Sequence, residues 1–222
     1  MTASICCRPT RARRAACRSA ERGVAAPSPL ADELHGLLPQ TQCTRCGYDG
    51  CRPYAEAIAA GVADINRCPP GGEATLRRLA ARTGRPARPI DPECGPVGPP
   101  MVAVIDPSRC IGCARCLPPC PVDAIVGAQR QLHVVIDDLC TGCELCIAPC
   151  PVDCITLAPR VQQAPRSPEP TPSDNLRRYD DHRSRRGRRE AERLALLAER
   201  KARASRLSTR PTADTPTKGG AA

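Results

Sequence analysis

Two stretches of this chain, thirty residues apart, repeat one cysteine pattern almost letter for letter. Cys110, Cys113, Cys116 and Cys120 form one C-x2-C-x2-C-x3-C-P run; Cys140, Cys143, Cys146 and Cys150 form the other. Three thiolates so close in sequence constrain the backbone to a tight loop and can take three corners of an iron–sulfur cube. A tetrahedral zinc site would need only two such cysteines from one loop. In paired runs of this kind the fourth cysteine of each reaches across to the other cluster. One cluster is therefore expected on Cys110, Cys113, Cys116 and Cys150, the other on Cys140, Cys143, Cys146 and Cys120.

The rest of the composition fits a fold held by metal. The chain has 222 residues, 17 Cys, three Tyr, and neither Phe nor Trp. A core without large aromatics buries little area per residue, and small scaffolds of this kind lean on disulfides or metal. The odd cysteine count, the tight grouping and the lack of a secretory signal argue against a disulfide framework and for a reducing compartment. No apolar stretch approaches the length of a membrane span.

The net charge of +10 is unevenly spread. Residues 1–29 carry six Arg against one Glu, and 160–222 carry sixteen basic against eight acidic residues. Residues 101–159 hold three basic and six acidic residues, so the segment with the paired runs is acidic. It predicts a redox partner with a basic docking face and an association that weakens with salt. No aromatic platform or recognised fold points to nucleic acid, and no P-loop or GxGxxG fingerprint points to a nucleotide. Nothing suggests a small-molecule substrate or catalytic residues.

Five segments are expected. Residues 1–29 are a disordered basic lead. Residues 30–90 form a helical four-cysteine unit: Leu30, Leu34, Leu37 and Leu38 mark a short helix stopped near Pro39, Tyr54 to Ile65 a second, and Glu73 to Arg82 a third. Residues 83–100, with six Pro and three Gly, are rich in breakers, and 91–100 serve as a semi-rigid linker. Residues 101–159 should run strand, cluster loop, short helix, strand, twice over. The expected strands are Val102–Ile105, Ala124–Val126, Leu132–Ile136 and Ile155–Leu157, the βαββαβ layout of a bacterial ferredoxin. Residues 160–222 are a basic, largely disordered tail with a marginal helix over 187–207, where Leu194, Leu196, Leu197 and Leu207 give a narrow apolar stripe. The fold class is α+β.

A third set lies upstream: Cys43, Cys46, Cys51 and Cys68, spaced C-x2-C-x4-C-x16-C. Gly47 and Gly50 let the backbone turn so that three thiolates converge. The spacing suits either Zn2+ or a [4Fe–4S] cluster.

Cys43-Thr-Arg-Cys46-Gly-Tyr-Asp-Gly-Cys51-Arg-Pro-Tyr-Ala-Glu-Ala-Ile, the Asn66-Arg-Cys68-Pro-Pro-Gly-Gly segment and the tandem runs together resemble the RnfB/RsxB family, the B-type subunits of Rnf-type electron transport complexes. The resemblance covers about residues 30–159. It implies a [4Fe–4S] cluster on Cys43, Cys46, Cys51 and Cys68, hence three clusters in all. It also implies a non-catalytic redox subunit of an ion-translocating oxidoreductase, with other subunits of such an Rnf complex as partners. Members of that family commonly begin with a hydrophobic anchor, where this chain has an Arg-rich segment. A short form is therefore expected, cytoplasmic or peripheral on the cytoplasmic face of the inner membrane. The competing expectation is a free ferredoxin-like donor to cytosolic reductases or nitrogen-fixation enzymes.

Cys6, Cys7, Cys17 and Cys94 lack partner spacing and read as free thiols. Cys154, standing where the first run has Ala124, reads as a small packed side chain. The histidines, His35 and His133 among them, have no carboxylate in motif spacing.

Overall fold

The computed structural model describes residues 28–160 and 170–208. Expectations for the lead, with Cys6, Cys7 and Cys17, and for the far end of the tail fall outside the described residues. Two compact units are separated at Tyr179 and Asp180. The first contains all three cysteine sets.

Its opening part is helical. Helix α1, Pro29–Leu37, has Pro at its first position, where the missing N–H and fixed φ cost nothing. It buries Ala31 and Leu34, and Leu38 just beyond it is fully buried. Helix α2, Cys51–Ala59, buries Cys51, Tyr54, Ala55 and Ile58, one face at helical spacing. The expected helix over 54–65 is thus displaced towards the N-terminus and shorter. Gly61 adopts φ +76, and the N–H groups of Val62 and Ala63 both return to the carbonyl of Ala57. A left-handed glycine with such back-bonds is how many helices stop. Helix α3, Gly72–Thr83, packs Thr75, Leu76 and Leu79 inward and ends at left-handed Gly84.

Tyr54 anchors this core in place of the missing Phe and Trp. It is 1% exposed, and its hydroxyl donates to the Asp64 carbonyl at 2.8 Å and accepts from the Arg67 N–H at 3.1 Å. Those bonds hold the segment that delivers Cys68.

The supposed linker is packed against this unit as far as Cys94. The Asp91 N–H bonds the Asn66 carbonyl at 2.9 Å, and Asn66 Nδ2 donates to the Pro89 carbonyl at 2.7 Å. Arg67 spans Asp91 Oδ2, at 3.2 Å, and the Cys46 carbonyl, also at 3.2 Å. Cys94 sits on a 3-10 turn, Pro92–Cys94, and is 4% exposed. It is therefore no dangling thiol in a spacer.

The second part has four strands in two antiparallel pairs. Strand β1, Met101–Ile105, pairs with β4, Ile155–Pro159, with Met101 opposite Pro159 and Ile105 opposite Ile155. Strand β2, Ile125–Val126, pairs with β3, Val134–Val135. The strand order matches the layout expected from the repeat, but the helices do not form. Residues after the second cysteine of each run make turns, because Ala114 and Glu144 take φ +59 and +66 and break any helical path. Strand β3 covers only two of the five expected residues.

The two halves obey one pseudo-twofold rule. The Asp106 N–H bonds the Cys154 carbonyl at 2.8 Å, and Ile136 N–H bonds the Ala124 carbonyl at 2.7 Å. Cys110 N–H bonds Asp106, as Cys140 N–H bonds Ile136, each at 3.1 Å. The core they enclose holds Val102, Ala103, Val122, Ala124, Ile125 and Ile155 among buried cysteines.

Helix α4, Pro172–Ser208, begins well before the expected 187. Thr171 and Asp174 bond reciprocally, Thr171 N–H to Oδ2 and Asp174 N–H to Thr171 Oγ1, both at 3.2 Å, with Pro172 next. This capping box and first-turn proline were the missed start signal. Within the first unit, Asn175 is buried and lies with Nδ2 3.4 Å from the Pro39 carbonyl. Among the described residues, no helix is long and apolar enough to cross a membrane.

Candidate metal centres

The loop before α2 gathers the first cysteine set at the expense of backbone comfort. Gln40, Gln42 and Thr44 take φ +58, +52 and +59, a conformation costing roughly 1–2 kcal/mol per non-glycine residue. Side chains hold it in place. Gln42 Nε2 donates to Gln40 Oε1 at 2.9 Å, and Gln42 Oε1 accepts the Cys51 N–H at 2.8 Å. Gly50 takes φ +130, a conformation that L side chains rarely adopt, so glycine is needed where the loop enters α2. The result buries Cys46, Cys51 and Cys68 and leaves Cys43 partly exposed.

Burial pushes the Cys46 thiol up to about 12, with Cys43, Cys51 and Cys94 adding to the effect. Burial likewise pushes Cys51 up to about 11 and raises Cys68, which also feels Cys51, Cys43 and Cys46. The four expected thiols therefore stand in one another's field, and Cys94 adds to the field at Cys46.

The paired runs make two cavities. One is lined by Cys110, Cys113, Cys116 and Cys150 together with His133 and Cys154. The other is lined by Cys120, Cys140, Cys143 and Cys146 together with Ala103, Ala124 and Glu144. Each cavity thus takes three thiols from one run and the fourth from the other.

Glycines between the first two cysteines of each run let the loops close. Gly112 and Gly142 take φ +67 and +64, and a Cβ there would lie 2.7 Å from the Gln131 nitrogen and 2.5 Å from the Met101 oxygen. Backbone N–H groups point at sulfur: Ala103 N lies 3.4 Å from Cys140 Sγ and Ala124 N 3.2 Å from Cys120 Sγ.

Burial pushes Cys116 up to about 11 and Cys146 up to about 12. Cys150 differs: burial pushes up, but hydrogen bonds from the Cys154 and Val152 backbone, the Cys154 thiol and the Asp153 backbone hold it below the ordinary value. Thiols pushed so high are neutral unless a bound cation compensates the thiolate. Neutral thiols facing one another, with N–H donors aimed at them, fit a cationic iron–sulfur core.

One ion pair joins the first set to the rest. Arg45, between Cys43 and Cys46, is paired through Nη2 with Oε1 of Glu144, between Cys143 and Cys146.

Comparisons with known proteins agree with this division. Residues 103–157 match the family described as 4Fe-4S dicluster domain, and residues 38–70 match one described as putative Fe-S cluster. The chain is similar to proteins named as the B-type subunit of an ion-translocating oxidoreductase complex. It is 61% identical to that of Azoarcus sp. (strain BH72) over 111 residues, which cover 50% of this chain and 61% of the relative. Identity is 54% over 111 residues for Thiobacillus denitrificans (strain ATCC 25259 / T1), covering 50% and 59%, and 56% over 110 residues for Pseudomonas aeruginosa (strain PAO1), covering 50% and 57%. The chain spans less than two thirds of the length of these relatives.

Proposed function

We propose that this chain is an iron–sulfur electron-transfer subunit of an ion-translocating oxidoreductase complex. In this reading it carries three [4Fe–4S] clusters. One is on Cys43, Cys46, Cys51 and Cys68, one on Cys110, Cys113, Cys116 and Cys150, and one on Cys120, Cys140, Cys143 and Cys146. The observation that carries the reading is the pair of cavities lined by thiols exchanged between runs. The similarity to the B-type subunits supports it. When bound, each cluster takes up and releases one electron at a time.

The chain's own residues supply ligation, donors to sulfur and dry walls, the levers by which a protein sets cluster potential. No general base or nucleophile is needed, because no substrate bond changes. Other subunits of such a complex are the natural partners, with this chain peripheral on the cytoplasmic side of the membrane. The acidic 101–159 segment favours a basic docking face on the partner.

Iron and acid-labile sulfide analysis of anaerobically purified protein, with EPR of the reduced form, tests the reading. About twelve irons per chain is the expected result for three four-iron clusters. About eight irons with one zinc would reassign the first set, and none would overturn the proposal.

A further inference from the structure

The two paired-run cavities obey the same backbone rule, so the side chains that break it stand out. Thirty residues separate equivalent positions, making Ala103 equivalent to His133 and Ala124 equivalent to Cys154. At Cys140 the donor is the backbone N–H of Ala103, 3.4 Å from sulfur. At Cys110 the neighbour is the His133 imidazole, with Nδ1 3.5 Å from Sγ.

His133 is 3% exposed, and its Nε2 is buried with no hydrogen-bond partner. The fold reserves the space for it: a Cβ on Gly127 would lie 2.1 Å from His133 Cδ2. Cys154 repeats the pattern, adding a thiol 3.5 Å from Cys150 Sγ where Ala124 offers only a methyl group. The opposite cavity is lined instead by Ala103, Ala124 and Glu144, whose carboxylate is paired with Arg45.

We infer that His133 and Cys154 make the paired clusters unequal, giving the one on Cys110, Cys113, Cys116 and Cys150 the higher reduction potential. The inference rests on the iron–sulfur reading above. Reduction adds one electron to the cluster and its thiolate ligands; no bond forms or breaks and no proton is taken up. Donors to the ligand sulfurs stabilise the added negative charge. A ligating thiolate can only accept, so the proton lies on Nδ1 of His133 and on the thiol of Cys154. Both are positioning residues, since they act through Cys110 and Cys150.

The test is an EPR-monitored titration of the full, iron-loaded chain with dithionite as reductant. The two paired-run clusters should differ by at least tenfold in reduction equilibrium constant, which is about 59 mV for a one-electron couple. In the double variant His133→Leu/Cys154→Ala the higher midpoint should fall by at least tenfold in that constant while the lower stays. His133→Asn, which keeps an amide N–H near the Nδ1 position, should retain most of the difference.

A second readout is pulsed EPR of wild-type protein with histidine 15N-labelled in the imidazole ring only, which should show nitrogen coupled to the higher-potential cluster. Equal midpoints in fully loaded wild-type protein would overturn this inference and leave the iron–sulfur reading standing. So would an unmoved midpoint in a fully loaded double variant. If the variant fails to load, the labelling decides, and absent nitrogen coupling overturns the proposal. A wild-type chain that binds no iron overturns both.

Discussion

Arg45 and Glu144 form an ion pair between two cysteine loops: one stands inside Cys43–Cys46, the other inside Cys143–Cys146. The side chains are 26% and 39% exposed, so water screens the attraction. Pairs of this kind are worth about 0–1 kcal/mol. Arg45→Ala should therefore leave iron content unchanged and lower stability by at most about 1 kcal/mol. Its larger effect should be on communication: electron exchange between the first cluster and the paired clusters should slow, followed by rapid-freeze EPR. The reversed pair Arg45→Glu/Glu144→Arg should recover it. Loss of iron in Arg45→Ala would show a structural role instead.

Gly142→Ala addresses the closure of one loop. The new Cβ would meet the Met101 carbonyl from a left-handed backbone, and neither atom is at the end of a flexible side chain. On the proposed three-cluster reading, about four of twelve irons should be lost, those assigned to Cys120, Cys140, Cys143 and Cys146. Iron analysis checks the number, and the EPR of the remaining clusters checks the place. Full iron content would contradict the loop geometry.

Tyr54→Phe removes one hydroxyl and orphans two groups, the Asp64 carbonyl and the Arg67 N–H. Leaving buried groups unsatisfied costs about 1–3 kcal/mol each when water cannot replace the partner. Chemical denaturation should show a loss in that range. The cluster proposed for Cys43, Cys46, Cys51 and Cys68 should also become the most easily stripped by chelator, since the freed segment carries Cys68.

Alkaline pH should unfold the iron-free chain. Burial raises the thiols of Cys46, Cys51, Cys116 and Cys146 from about 9 to about 11–12 in the fold. The folded state therefore keeps protons that the unfolded chain releases, and stability falls wherever the folded state binds more of them as pH rises. The contribution is complete below about pH 9 and is lost progressively up to about pH 12. Circular dichroism of chelator-stripped protein across that window should show the fall. The loaded protein, whose thiolates are already ligated, should lack it.

Local order was the most legible part of this molecule. Cysteine spacing alone indicated which thiols share a loop, and apolar spacing located α1 and α3 to within a residue or so. Misreadings arose where a single backbone angle or a distant partner decided the outcome. Gly61 ended α2 early, and left-handed Ala114 and Glu144 turned expected helices into turns, none of which a hydrophobic period reveals. The start of α4 was written in the sequence as Thr171-Pro-Ser-Asp174 but carried no apolar face to draw notice. The setting of His133 leaves no sequence signal, because its neighbour across the cavity, Cys110, lies 23 residues earlier. Long-range contacts leave no local mark.

Strand β1 opens the paired-run segment and β4 closes it, and the two lie side by side, with Arg160 N–H bonded to the Pro100 carbonyl at 2.9 Å just outside them. The segment thus enters and leaves through one doorway. A module built this way can be spliced into another protein's surface loop, or its order cut and rejoined, without pulling its ends apart. The same doorway means that a cut made elsewhere in the segment leaves its two ends held together by the β1–β4 pair.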